Sequence, residues 1–89
     1  MIKKSESTAD LFESIITELD GSLSGELMDD IRTLVESREF GVAFEILCDN
    51  LEEESVVVSG ILKTAIEEVG QRLRIDESYW KNIPFPKLE

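Results

Sequence analysis

Residues 39–54, EFGVAFEILCDNLEEE, constrain the fold more than any other stretch of the chain. At 3.6 residues per turn, Phe40, Ala43, Phe44, Leu47 and Leu51 fall on one stripe, which Val42, Ile46 and Cys48 widen on both sides. A segment apolar around so much of its circumference predicts a helix buried on most sides. What stays polar is a band of Glu45, Asp49, Glu52 and Glu53 at i, i+4, i+7 and i+8, so these carboxylates point the same way. One helix therefore supplies both a core element and an acidic edge.

Three further amphipathic segments supply the wrapping. Ser7-Thr8-Ala9-Asp10 resembles a capping box, with Asp10 near the positive end of the helix dipole, and Leu11, Phe12, Ile15, Ile16 and Leu19 follow at core spacing until Gly21. Two glycines and two serines within residues 21–25 make a turn, and Ser24 is placed to cap the next helix. That helix carries Leu27, Met28, Ile31, Leu34 and Val35 inward and offers Arg32 to Glu36 as an i, i+4 pair. Glu26 and Asp30 form a like-charge pair at the same spacing, and with Asp29 they make a second acidic patch.

Gly41 lies in the first turn of the central helix, where close approach of another backbone would account for it. At the other end, Glu52-Glu53-Glu54 sits at the negative end of the helix dipole. Each carboxylate there is unfavourable by about 0.3 to 1 kcal/mol at low salt. Violations of this kind gather at functional sites, although a helix that continues or frays in solvent also accounts for the run.

Ser55-Val56-Val57-Val58-Ser59 has no other strand to pair with and reads as an extended link whose side chains fill a gap. Ser59 caps the last long helix, with Leu62, Ala65, Ile66, Val69 and Leu73 inward, Lys63–Glu67 and Glu68–Arg72 as outer pairs, and Gly70 at a close helix contact. Asp76 to Trp80 can make one more helical turn, after which Pro84 and Pro86 enforce an extended run. Tyr79, Trp80, Ile83 and Phe85 either fold back over the bundle or form a sticky surface, while Leu88-Glu89 reads equally as native sequence or a cloning remnant. The expected fold is thus all-α: a four-helix bundle with helices near 8–20, 25–37, 40–53 and 59–74, a short fifth helical turn and an extended tail over 81–89.

Composition narrows the function. Twenty acidic and nine basic residues with no His, a formal charge of −11, disfavour direct nucleic-acid and anionic-membrane binding and favour a basic protein partner. Without His, and with its one Cys inside an apolar run, the chain lacks the usual general base, the thiol nucleophile pair and imidazole metal ligands. No enzyme activity, cofactor or metal is expected. The opening MIKKSESTAD has no apolar segment behind its lysines, and no run approaches the roughly 18 apolar residues of a membrane span. A reducing cytoplasm is the expected compartment, with the chain folding alone or as a small oligomer.

The run Glu39-Phe40-Gly41-Val42-Ala43-Phe44-Glu45-Ile46-Leu47-Cys48-Asp49-Asn50-Leu51, then Glu53 and an apolar connector to a serine-capped helix, resembles the MafI-like immunity proteins. These are encoded beside polymorphic and contact-dependent growth inhibition toxins of bacteria. The resemblance spans about residues 10–75 and is sharpest at Glu39-Phe40-Gly41, Ala43, Phe44 and Glu45; Val56 to Val58 stand where a proline is usual. It implies a cytosolic antidote that binds one cognate toxin domain, often a nuclease. Charge and resemblance together nominate Glu45, Asp49, Glu52 and Glu53, then Asp29 and Asp30, as the toxin-binding face, with Trp80 as an added contact from the tail. The alternative is a helical adaptor or regulator that docks a non-toxin partner through the aromatic tail.

Overall fold

The computed structural model describes residues 6–84, which form four α-helices and one turn of 3-10 helix: α1 (Thr8–Glu18), α2 (Gly25–Glu36), α3 (Phe40–Glu53), α4 (Gly60–Arg72) and η1 (Glu77–Tyr79). The class is all-α, as the periodicity requires. Phe85 and Leu88-Glu89, with the rest of the expected extended tail over 85–89 and the first five residues, lie outside the described residues.

Three of the helices begin where a serine can cap them. Ser7, Ser24 and Ser59 Oγ accept from the backbone N–H of Asp10, Leu27 and Leu62 at 3.0, 3.1 and 3.0 Å, each satisfying one of the donors that a helix start leaves open. α3 has no such cap, and Glu39 at its start contributes no side-chain bond. The preceding turn holds it instead.

That turn belongs to a set of three. After α2, Glu39 N–H donates to Leu34 O and Arg38 N–H to Val35 O; after α3, Val56 and Ser55 donate to Leu51 and Glu52; after α4, Ile75 and Arg74 donate to Gly70 and Gln71. Each is a Schellman closure with one residue in the left-handed region, and the residues there are Arg38, Ser55 and Arg74, at φ 63°, 52° and 58°. A side chain in that region costs about 1 to 2 kcal/mol, against about 0.5 to 1 kcal/mol for the extra unfolded-state freedom of glycine. Arg38→Gly and Ser55→Gly should therefore each raise stability by about 0.5 to 1 kcal/mol, read as a higher urea midpoint at unchanged slope.

α1 packs chiefly on α4 and α2 on α3, with α1 also against α2. Arg72 at the end of α4 donates to Glu6 O before α1, at 2.6 Å, while Ile61 at the start of α4 shares a groove with Thr17 and Glu18 at the end of α1, so the pair runs antiparallel. Leu11, Phe12, Ile15, Ile16, Ile31, Phe44, Leu47, Leu51, Ile66 and Val69 are almost wholly buried between the helices. Phe12 and Phe40 stack across α1 and α3 at 5.9 Å between ring centroids.

The last described segment closes the bundle. Trp80 and Ile83 are buried, Trp80 edge-on to Phe44 at 5.8 Å, so this part of the tail folds back. The valine connector is an extended link with no strand partner among the described residues, and it fills a gap as expected: Val58 is buried, with its N–H donating to Pro84 O at 2.9 Å, while Val57 stays exposed. Gly70 is a close contact of a different kind from the helix crossing expected, because the Trp80 ring lies flush on it. Gly41 has open space where a side chain would point, so no backbone approach explains it.

Surface pairing follows the helical spacing in two cases and departs from it in one. Lys63–Glu67 and Arg72–Glu68 pair at 2.6 and 2.8 Å. Arg32 turns away from Glu36 and reaches Glu13 of α1 at 3.7 Å, because its side of α2 faces that helix. Asp76 accepts from Ser78 N–H at 2.8 Å, and this backbone bond holds its carboxyl below the usual range. The stability it lends η1 is present above the ordinary Asp value and lost as pH falls below it.

No helix among the described residues is long and apolar enough to cross a membrane.

Candidate functional site

The acidic face of α3 forms because its apolar side chains occupy the opposite side of the helix. Ala43, Phe44, Leu47, Cys48 and Leu51 are buried, which turns Glu45, Asp49, Glu52 and Glu53 outward together. The structure thus brings these four nominated residues onto one surface. Val42, expected to widen the buried stripe, is 47% exposed instead and stands within this face. No helix covers that flank, so the stripe is narrower than the hydrophobic pattern suggested.

This face has no internal counter-charge. From Glu39 to Leu62 the chain carries six acids and no Lys or Arg. The ion pairs among the described residues join α1 to α2 or lie within α4, and none touches α3. α3 also ends without a basic residue in its last turn, leaving Glu52 and Glu53 against the negative end of the dipole. Glu53→Gln should accordingly stabilise the free protein by about 0.3 to 1 kcal/mol, with the gain shrinking in high salt. A thermal melt at two salt concentrations reads this directly.

The two acids nominated on α2 part company. Asp30 lines a groove between α2 and α3 with Thr33, Leu34 and Ile46, beside the α3 face. Asp29 is its neighbour in sequence, and successive helical residues point about 100° apart, so Asp29 is turned away from that groove and does not extend the same surface. Trp80 leaves the set altogether: at 9% exposure, over Gly70 and against Phe44, it is a core residue rather than an exposed contact. Only Tyr79 of the described aromatic tail is well exposed.

Cys48 lies just beneath the acidic face and is fully buried. Burial, reinforced by the negative charges of Asp49 and Glu52, pushes its thiol up to about 12. Little thiolate forms at neutral pH, so the residue is a packed core group rather than a nucleophile. Its contribution to stability is full below the unfolded value of 9.0 and is lost as pH rises towards about 12. Labelling by a thiol reagent at pH 8 should run at least ~10³-fold slower in the native protein than in urea and follow global opening; labelling at the unfolded rate would mean the core is open there.

The sequence reading missed the apolar part of this surface. Leu34 and Ile46 were both assigned to the core, yet they are only half-buried between α2 and α3, and Val42 continues them one turn earlier. The available signal was the i, i+4 spacing of Val42 and Ile46, which puts them side by side on the edge of the stripe next to Asp49. Comparison with protein-family models, with curated proteins and with solved structures yields no match to this chain.

Proposed function

We propose that this protein is an antidote of the immunity type, acting in the cytoplasm by binding rather than catalysis. Its partner is one basic toxin domain, of the nuclease class, whose phosphate-binding surface is covered by the acidic face of α3. The observation that carries this reading is the band of Glu45, Asp49, Glu52 and Glu53, exposed together and without an ion pair among the described residues. An uncompensated patch of this kind raises the local concentration of a positively charged protein and speeds encounter. It also competes for the cationic groups that a nuclease uses to hold phosphate. The resemblance of residues 39–51 to MafI-like immunity proteins points the same way.

The adaptor alternative depended on the aromatic tail, and burial of Trp80 and Ile83 takes two of its contact residues away. Where the adjacent upstream reading frame encodes a large secreted protein, the deciding experiment expresses its variable C-terminal domain with and without this protein. Survival only on co-expression, together with a one-to-one complex on gel filtration, is the expected result. Cell death in both arms removes the proposal.

A further inference from the structure

Beside the acidic face, the α2–α3 groove offers something that charge alone does not. Its lining is Asp30, Thr33, Leu34 and Ile46, with the two apolar residues half-buried. Val42, one turn before Ile46 on α3 and 47% exposed, adds an apolar side chain on the open flank beside the groove. Asp49 and Glu53 follow Ile46 at i+3 and i+7, so they lie on the same side of α3, and Asp30 lines the α2 wall of the groove. α3 carries no base, and the one basic residue of α2, Arg32, reaches towards Glu13 of α1. An apolar slot with acids along its rim is complementary to a chain segment that is basic and also carries one large apolar side chain.

We propose that this groove seats an aliphatic or aromatic side chain of a basic protein segment, whose Lys and Arg side chains are held by Asp30, Asp49 and Glu53. The inference rests on the reading above that the partner is a basic protein, and adds what lets this face choose among basic proteins. Charge acts over about a Debye length, roughly 8 Å at physiological salt, and controls encounter. The apolar contact is short-ranged and controls dissociation. A nucleic acid is repelled by the rim, and a purely hydrophilic polycation satisfies the rim but leaves the slot empty. Among the described residues Val57, Ile61 and Tyr79 are also exposed apolar side chains, and Ile61 flanks the α1–α4 groove, where Glu13 already engages Arg32.

The test titrates the isotope-labelled full chain with two short synthetic helical peptides of equal positive charge, one with Lys and Leu on opposite faces, the other with Gln in place of Leu. The Lys/Leu peptide should bind roughly tenfold more tightly, with amide shifts centred on Thr33, Leu34, Val42 and Ile46. Val42→Ser, at an exposed position that leaves the core intact, should remove most of that advantage while leaving the Lys/Gln peptide unaffected. Equal affinities for the two peptides, or shifts centred on Ile61 and Thr17, would overturn the inference. Toxin rescue without groove selectivity removes this inference and leaves the proposed function; groove selectivity without rescue does the reverse.

Discussion

Replacing Trp80 by Ala is expected to cost about 3 to 5 kcal/mol, the largest loss of any single substitution outside the four helices. The side chain is 9% exposed, meets Phe44 edge-on at 5.8 Å and covers Gly70 of α4. Its removal opens a void between α3 and α4 and frees the segment that ties Pro84 O to Val58 N–H. Small domains hold only about 5 to 15 kcal/mol in total, so such a loss lowers the melting temperature by tens of degrees. Urea titration followed by far-ultraviolet circular dichroism measures it, and a change below about 1 kcal/mol would show that the ring does not close the core.

Gly70 sharpens the same point. A β-carbon there would lie 2.7 Å from Trp80 Cη2 and 2.8 Å from Cε3, and nearer still to Cζ3. Overpacking of that kind costs about 1 to 3 kcal/mol, so Gly70→Ala should destabilise the natural chain. In a Trp80→Leu background the ring is gone, and the same change should stabilise by up to about 1 kcal/mol, the ordinary preference of a helix interior for alanine. A sign that does not reverse would mean that the glycine serves some other need.

The second large effect concerns the acidic face. Reversing two charges, Asp49→Lys with Glu52→Lys, should slow association with the basic partner domain proposed above by about 10- to 100-fold and flatten its dependence on ionic strength. Dissociation should change less, because charge steers the encounter at long range. The free protein should be no less stable, since both residues are exposed and Glu52 sits unfavourably at the dipole end. Stopped-flow association across a salt series, beside a melt of the free variant, separates the two readings. Unchanged association kinetics would move the contact surface elsewhere.

The helices themselves were legible in the sequence because the forces that define them are local. A 3.6-residue apolar period, and serines placed to cap, act within a few residues of where they stand. Ser7, Ser24 and Ser59 therefore marked three helix starts, and the Lys63–Glu67 and Glu68–Arg72 spacings gave two ion pairs. The acids of α3 were legible for the same reason: Glu45, Asp49, Glu52 and Glu53 share a face by helical geometry whatever surrounds them.

What only the tertiary structure decided is everything that depends on which helix lies beside which. Arg32 pairs with Glu13 rather than Glu36 because α1 passes on that side. Val42 is exposed and Ile46 half-buried because α2 covers only one flank of α3. Asp29 and Asp30, adjacent in the chain, are divided by 100° of helical rotation once α3 fixes which of them borders the groove. Gly70 and Trp80 are ten residues apart with no periodic relation, and only the fold-back after η1 makes one the seat of the other. Periodicity assigns a residue to a side of its own helix, whereas burial and contact are set by the neighbour that packs there, and that neighbour is chosen by the whole chain at once.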